Sequence, residues 1–329
     1  MLPTRRENRV RVALPIGDPA GIGPEIVLRT AFEASVQQVI APVIVGDLEI
    51  LIDQAQRLGI GLEQKGDTLQ CSGHSADFVD CGVVGPDNVT PGAVSALAGR
   101  ATIAYATAAI NLANEGHVDA VLAAPHTERS VQAAGIPFSG YPSLLAKLTQ
   151  TSPDDVFLML VSEPYKVVNA TLHVALQDAV KLLTTERVTA AIEAAHNALT
   201  RMGFDAPRIG VCGLNPHAGE DGLFGQEEID VIGPSVARCR QQGLNVEGPR
   251  PADVLFAGRA HDVYVAMYHD QGHIPVKVAA PRRASAISVG TPILFGSVAH
   301  GSALDIAGQG RADPTALQQA AVLLATQFK

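Results

Sequence analysis

Short apolar runs alternate along this chain with longer amphipathic stretches, and that rhythm predicts its elements. Arg11-Val12-Ala13-Leu14-Pro15-Ile16 reads as a buried strand. Gly17-Asp18-Pro19-Ala20-Gly21-Ile22-Gly23 then forms a turn, and Pro24-Glu25 opens a helix through Ile26-Val27-Leu28, since proline suits a first helical turn. Pro42-Val43-Ile44-Val45-Gly46-Asp47 is a second strand, followed by a helix through Leu58. Leu62 to Val89 is rich in Gly, Ser and Asp without a clear period, so short strands and loops are expected there. A long Ala-rich helix is predicted from Gly92 to Glu115, with Gly116 at its C-cap. Ala120–Ala124 is a strand stopped by Pro125. Later strands are 157–161, 166–171, 208–212 and 263–267, with helices over 185–202 and 226–242. The alternation implies an α/β fold whose parallel strands are joined by crossovers.

Composition narrows the function classes. A chain of 329 residues is long for one core and comfortable for two α/β lobes. With 47% hydrophobic and 17% charged residues it is a buried, globular sequence. The net charge of -9 and scattered basic residues argue against nucleic acid, and the Arg282-Arg283 pair is too small to change that. No apolar run approaches the roughly 20 residues of a membrane span, and Met1 to Val10 is polar, so a cytoplasmic protein is expected. Cys71, Cys81, Cys212 and Cys239 form no C-x-x-C pair and read as reduced, buried thiols.

In open α/β sheets chemistry belongs to loops at the carboxyl ends of strands. His173, His217 and His269 each follow a predicted strand. Each by itself reads as a hydrogen-bonded structural histidine. Their shared address suggests a catalytic metal site instead, with open coordination positions to polarise a hydroxyl. Lys277 lies eight residues beyond His269, either a surface lysine or a proton-transfer group, and Asp270 either orients His269, shuttles a proton or caps a turn. His126 and Thr127, after the 120–124 strand, are candidate ligand contacts.

Gly17-x-x-x-Gly21-x-Gly23 is not the dinucleotide fingerprint, and neither a P-loop nor a Gly-x-Ser-x-Gly elbow is present. Two other glycine-rich segments, 215–225 and 300–310, are either nucleotide-binding loops or ordinary turns. Asn215, Gly219, Gly222, Gly225, Asp305 and Gly308 are the cofactor candidates within them. His300 reads as structural or near the cofactor, and His74, His117, His196 and His261 as surface residues.

Several of these segments resemble the 4-hydroxythreonine-4-phosphate dehydrogenase family. They are Gly17-Asp18-Pro19-Ala20-Gly21-Ile22-Gly23-Pro24-Glu25, Gly135-Ile136-Pro137-Phe138, Asn215-Pro216-His217-Ala218-Gly219-Glu220, His269-Asp270-Gln271-Gly272, Pro275-x-Lys277 and His300-Gly301-x-Ala303-x-Asp305-Ile306-Ala307-Gly308. The resemblance runs from Ile16 to about Leu317. It implies two α/β/α lobes around a central cleft, like isocitrate and isopropylmalate dehydrogenases. One lobe would take 1–130 plus 296–329. The other, 131–295, would carry most metal ligands and the dimer interface. It further implies NAD or NADP as cofactor and a homodimer. One divalent ion, zinc or another transition metal, would be held by His173, His217 and His269 and shared between subunits, with Lys277 on the substrate.

The departures from that family bear on the substrate. Where the vitamin B6 enzymes grip substrate with Gly-His-Thr, this chain has Gly140-Tyr141-Pro142. Ala286 stands at the place of a substrate-binding Asn, and Phe295 at that of an Arg. Losing about three charged hydrogen bonds, each worth roughly 1.5–3 kcal/mol, would cost on the order of 5–9 kcal/mol of phosphate affinity. Gly140–Ala146, Val156–Val161, Gly272-His273-Ile274-Pro275 and Ser297–Ala303 look instead like terephthalate dihydrodiol dehydrogenases. That branch implies NAD-linked oxidation of a cis-dihydrodiol dicarboxylate with loss of CO2 to protocatechuate, Tyr141 and Phe295 lining a partly apolar substrate site. The alternatives are the phosphorylated hydroxythreonine of pyridoxal phosphate biosynthesis and a non-catalytic ligand-binding relative.

Overall fold

The structure is a computed structural model and describes residues 9–280 and 284–327. The Arg282-Arg283 pair and the first eight residues of the polar N-terminus lie outside the described residues. The chain forms two compact units, Met1–Thr149 with Ile293–Thr326, and Gln150–Pro292 with Gln327–Lys329. The divisions expected from sequence were 130/131 and 295/296. The first falls later because the helix beginning at Tyr141 buries Tyr141 and Leu145 in the first unit's core.

In chain order the first unit contains β1 (Val10–Pro15), α1 (Gly23–Ala31), α2 (Ala34–Gln37), β2 (Ile40–Gly46) and α3 (Leu48–Leu58). The hairpin strands β3 (Glu63–Lys65), β4 (Thr68–Cys71) and β5 (His74–Asp80) follow. Then come α4 (Ala96–Asn114), β6 (Ala120–Ala123), α5 (Glu128–Ala133) and α6 (Tyr141–Thr149). The second unit contains β7 (Phe157–Val161), β8 (Lys166–Asn169), α7 (Leu176–Leu182), α8 (Thr185–Arg201), β9 (Ile209–Cys212) and α9 (Gly233–Gln241). It continues with β10 (Val246–Arg250), α10 (Ala252–Gly258), β11 (Val263–Ala266), α11 (His269–Ala279) and β12 (Ser285–Val289). The chain re-enters the first unit with β13 (Leu294–Val298) and α12 (Thr315–Gln327).

The first unit's strands run in the order β13-β6-β1-β2-β5-β4-β3. β13, β6, β1, β2 and β5 are parallel, while β4 and β3 close the edge as antiparallel strands. A core of Ala13, Val43, Ala106, Ile110, Val121 and Phe295 lies between this sheet and α4. The Ala-rich helix starts later than expected because Ser95 caps it, its side chain accepting from Ala98 N at 3.1 Å. At its other end Gly116 takes φ +73°, as a C-cap glycine does.

In the second unit the order is β10-β9-β11-β8-β7-β12. β10, β9, β11 and β8 are parallel, whereas β7 pairs antiparallel with both β8 and β12. The expectation of purely parallel strands therefore fails at β7. Only Ser162–Tyr165 separates β7 from β8, with Ser162 N donating to Tyr165 O at 2.8 Å, and so short a link cannot make a crossover. The predicted 226–242 helix is also divided, since Glu228–Ile232 forms a wide π-type turn ahead of α9.

Candidate functional site

The second unit places β9, β11 and β8 side by side and parallel, so their carboxyl ends share one edge. His217, His269 and His173 lie in the loops or helix start that follow those three strands. The loops are stitched together below the histidines. Thr171 Oγ1 donates to Met267 O at 2.8 Å, and Gln271 Oε1 accepts from Met267 N at 2.7 Å. The Gln271 amide nitrogen donates in turn to Gly213 O at 2.7 Å, joining the end of β11 to the loop that carries His217.

His173 and His269 face each other with ring centroids 5.7 Å apart. Both line a pocket of about 410 Å³ together with Leu172, Leu176, Tyr268 and Asp270. His269 Nδ1 lies 2.7 Å from Asp270 Oδ1. A carboxylate only accepts, so in the neutral ring the proton sits on Nδ1 and the Nε2 lone pair is left outward. His217 has the same arrangement, its Nδ1 2.8 Å from Glu220 Oε2, while its ring packs on Phe224 at 6.0 Å. Imidazoles held by a carboxylate at one nitrogen and open at the other are suited to ligate a cation. One chain brings His173 and His269 to a common pocket; among the described residues no three His, Cys, Asp or Glu side chains are grouped to hold a metal ion.

The helix α11 starts at His269 itself, although Pro275 lies inside it. Helical spacing therefore puts His269, His273 and Lys277 on one face, four residues apart. His273 stacks on His269 with centroids 3.7 Å apart and 14° between the rings, and its Nδ1 donates to His269 O at 3.0 Å. Burial, with the nearby His269 and Lys277, pulls the His273 pKa down to about 4, so this ring is neutral near pH 7. Lys277 is exposed on the last turn of α11.

The loop between β9 and the π-type turn is built on Glu228, which is 5% exposed. Its Oε1 accepts Leu214 N at 2.6 Å and Asn215 N at 2.8 Å, and its Oε2 accepts Asn215 Nδ2 at 2.9 Å. From His217 to Gly222 every residue has positive φ: 54°, 54°, 82°, 45°, 53° and 92°. Of these, His217, Ala218, Glu220 and Asp221 have side chains, and each is strained by about 1 kcal/mol or more in this region, on the order of 4 kcal/mol together. Gly219 is required here, since a Cβ would lie 2.7 Å from Glu228 Oε2. Gly222 and Gly225 share the positive φ, at 92° and 146°.

The first unit has its own strand-end edge, where β13, β6 and β1 are adjacent and parallel. After β1, Asp18 is fully buried; its Oδ1 accepts Ala20 N at 2.9 Å and its amide donates to Pro125 O at 3.0 Å. Gly17 just before it takes φ +69°, with Pro125 O only 2.3 Å from where a Cβ would stand. Thr127 Oγ1 and Ser302 Oγ are 2.5 Å apart, tying the loop after β6 to that after β13. His126 packs edge-on against Phe138 and Tyr141, and Tyr141 packs against Phe295. Tyr141 and Phe295 are 4% and 1% exposed, and Tyr141 OH donates to Ala124 O at 2.9 Å. Burial and then the Asp18 charge push the Tyr141 hydroxyl well above its ordinary range, so it remains a donor. Asp305 lies in a short 3-10 turn, its carbonyl accepting from Gln309 Nε2 at 2.8 Å, and Gly308 takes φ +73° against Pro91.

Sequence reasoning gives no role to Gln271, His273 or Glu228, although the first two stand in segments that carry the resemblance. His273 is the fourth residue after His269, a spacing that becomes a shared face only once the segment is known to be helical. Glu228 and Gln271 carry no local signal, because their partners lie in other loops. One histidine reading is corrected: His261, expected at the surface, has a side chain only 7% exposed, with Nε2 2.9 Å from Glu247 Oε2.

An α/β chain with polar loops gathered at the carboxyl ends of parallel strands is the architecture of a small-molecule enzyme. The profile of the family described as pyridoxal phosphate biosynthetic protein PdxA matches residues 38–324, and the chain belongs to that family. It is 43% identical over 317 residues to a 1,2-dihydroxy-3,5-cyclohexadiene-1,4-dicarboxylate dehydrogenase of Comamonas, covering 96% of this chain and 98% of that protein. To a D-threonate 4-phosphate dehydrogenase of Cupriavidus necator it is 40% identical, over 94% of each chain. Among solved structures, a 4-hydroxythreonine-4-phosphate dehydrogenase of Klebsiella pneumoniae superposes with a TM-score of 0.85 at 34% identity, covering 98% and 99% of the two chains. A terephthalate 1,2-cis-dihydrodiol dehydrogenase of Burkholderia xenovorans gives 0.69 at 42% identity, covering 97% and 98%. No helix among the described residues is long and apolar enough to cross a membrane.

Proposed function

We propose that this chain is an NAD-linked dehydrogenase oxidising the hydroxyl of a small carboxylated substrate, and that its side chains best suit a terephthalate-type cis-dihydrodiol losing CO2 to give protocatechuate. The observation that carries the substrate choice is the aromatic cluster of His126, Phe138, Tyr141 and Phe295. Tyr141 and Phe295 occupy places where the phosphate-handling branch has charged or polar groups. Here the Tyr141 hydroxyl is committed to Ala124 O and the Phe295 ring to the core. Neither of these two buried side chains offers a donor to a phosphate, which favours the non-phosphorylated acid.

A second reading is a phosphorylated threonine-derived acid. The comparisons taken alone favour it over the first: the family description, the D-threonate 4-phosphate relative and the 4-hydroxythreonine-4-phosphate dehydrogenase structures all point that way.

In both readings His173, His217 and His269 would hold a divalent ion, shared between two copies of the chain. When bound, that ion and the dinucleotide supply charge stabilisation at the substrate oxygen and a hydride acceptor. The protein's own groups do the positioning. Asp270 keeps the proton of His269 on Nδ1 and so turns Nε2 outward. The exposed Lys277 ammonium, on the face of α11 that carries His269, offers donors to a substrate carboxylate or moves a proton. His126 and Thr127 border the substrate, and the 215–225 and 305–308 segments, with Asn215, Gly219, Gly222, Gly225, Asp305 and Gly308, receive NAD or NADP through backbone amides.

The test is a kinetic screen of NAD and NADP reduction with the terephthalate cis-dihydrodiol, 4-phosphohydroxythreonine and D-threonate 4-phosphate, each with added divalent metal. NADH formation and protocatechuate from the diol support the first reading. Turnover of a phosphorylated acid with none of the diol replaces it by the second. Tight binding without reduction of either nucleotide leaves a ligand-binding relative.

A further inference from the structure

The loop that carries His217 closes on itself through short-range hydrogen bonds, among them Gly222 N to Gly219 O at 3.0 Å and Phe224 N to Gly219 O at 3.1 Å, which set its local turns but not its place on the sheet. Six consecutive residues, 217–222, stand at positive φ, and Leu223 and Phe224 at its tip are 72% and 47% exposed. We propose that Glu228 is the positioning residue of this loop, fixing where His217 and the loop amides stand; the inference rests on the reading of His217 as a metal ligand. The buried carboxylate takes the amides of both Leu214 and Asn215 on one oxygen and the Asn215 side-chain amide on the other. Glu227 Oε2 accepts from the same Asn215 nitrogen at 2.6 Å, so both carboxylates hold that amide with its nitrogen inward.

Two residues later comes His217, and Pro216 between them has a locked φ, so orientation fixed at 214–215 is passed on rather than lost. At the far side, Gly213 and Gly219 approach the carboxylate so closely that a Cβ would lie 3.0 Å and 2.7 Å from its oxygens. The Glu228 side chain thus packs against Gly213, ahead of the left-handed run, and against Gly219 within it. A carboxylate is needed because all three partners are N–H donors. Glutamine would turn one NH2 onto a donor, and flipping Asn215 to relieve that would bring its oxygen against Glu227.

The experiment compares full-length wild type, Glu228→Gln and Glu228→Asp by amide hydrogen exchange and by Co2+ titration, read from the cobalt d–d absorption. In Glu228→Gln the exchange of Leu214 and Asn215 is expected to accelerate at least about tenfold, with β9 and β11 peptides unchanged. Co2+ affinity is expected to fall about ten- to a hundredfold, the range for groups that orient a metal ligand. Glu228→Asp restores part of both, and it carries the comparison if the glutamine variant does not fold. Wild-type exchange and wild-type cobalt affinity in a folded Glu228→Gln protein would overturn the proposal, as would faster exchange spread evenly through β9 and β11. If wild type itself binds no Co2+ while exchange changes stay confined to 213–225, the metal reading falls and the positioning role stands.

Discussion

Replacing Asp270 with alanine tests the orientation of His269 most directly. The Nδ1–Oδ1 contact is 2.7 Å, the length of a charge-assisted hydrogen bond. Removing a carboxylate that orients a ligating histidine costs about 10–100-fold in metal affinity, or roughly 1.4–2.7 kcal/mol. The Asp270 side chain is 69% exposed, so water and salt screen its charge, and the lower end applies. About a tenfold loss of Zn2+ or Co2+ affinity is expected for Asp270→Ala by isothermal titration calorimetry. A loss of less than about threefold is expected for Asp270→Asn, whose side-chain oxygen still accepts from Nδ1–H. His269→Ala should abolish binding at the same concentrations. If Asp270→Ala binds as wild type does while His269→Ala does not, Asp270 has no orienting role. If both variants bind as wild type does, His269 is not a ligand and the site reading fails.

Other perturbations follow from particular contacts. Tyr105→Phe removes the 2.6 Å hydrogen bond from a buried hydroxyl to Asp47 while keeping the ring. A loss of about 2 kcal/mol is expected, visible as a fall of roughly 4–8 °C in Tm, and an unchanged Tm would refute it. Gly219→Ala combines a backbone at φ +82° with a Cβ 2.7 Å from Glu228 Oε2, and should cost about 2 kcal/mol or more, measured by denaturant unfolding, with faster amide exchange over 213–225. Burial raises the thiols of Cys81 and Cys212 to about 12 and that of Cys239 to about 11. Thiolate is then scarce at pH 8, and alkylation of these three in the folded protein should keep rising about tenfold per pH unit through pH 10. A plateau near pH 9 in a mass-spectrometric time course would contradict that.

The apolar runs at 11–16, 42–47, 157–161, 208–212 and 263–267 foretold strands in place, because a buried strand announces itself within a few residues. The same local reading placed His173, His217 and His269 after strands that prove adjacent. It failed where partners are distant. Nothing near residue 228 tells that its carboxylate holds Leu214 and Asn215, nor does residue 271 reveal its bond to Gly213. The sequence reading places no helix over 269–279, so the alignment of His269, His273 and Lys277 comes from the structure alone.

The sequence by itself determined the alternating α/β order and the family, since the first follows from apolar period and the second from motifs of fixed residue type. Only the tertiary structure decided that β7 runs against its neighbours, that Tyr141 spends its hydroxyl on Ala124 O, and that His173 and His269 open on one pocket. These outcomes depend on packing and hydrogen bonds between segments tens of residues apart, which no local stretch of sequence encodes.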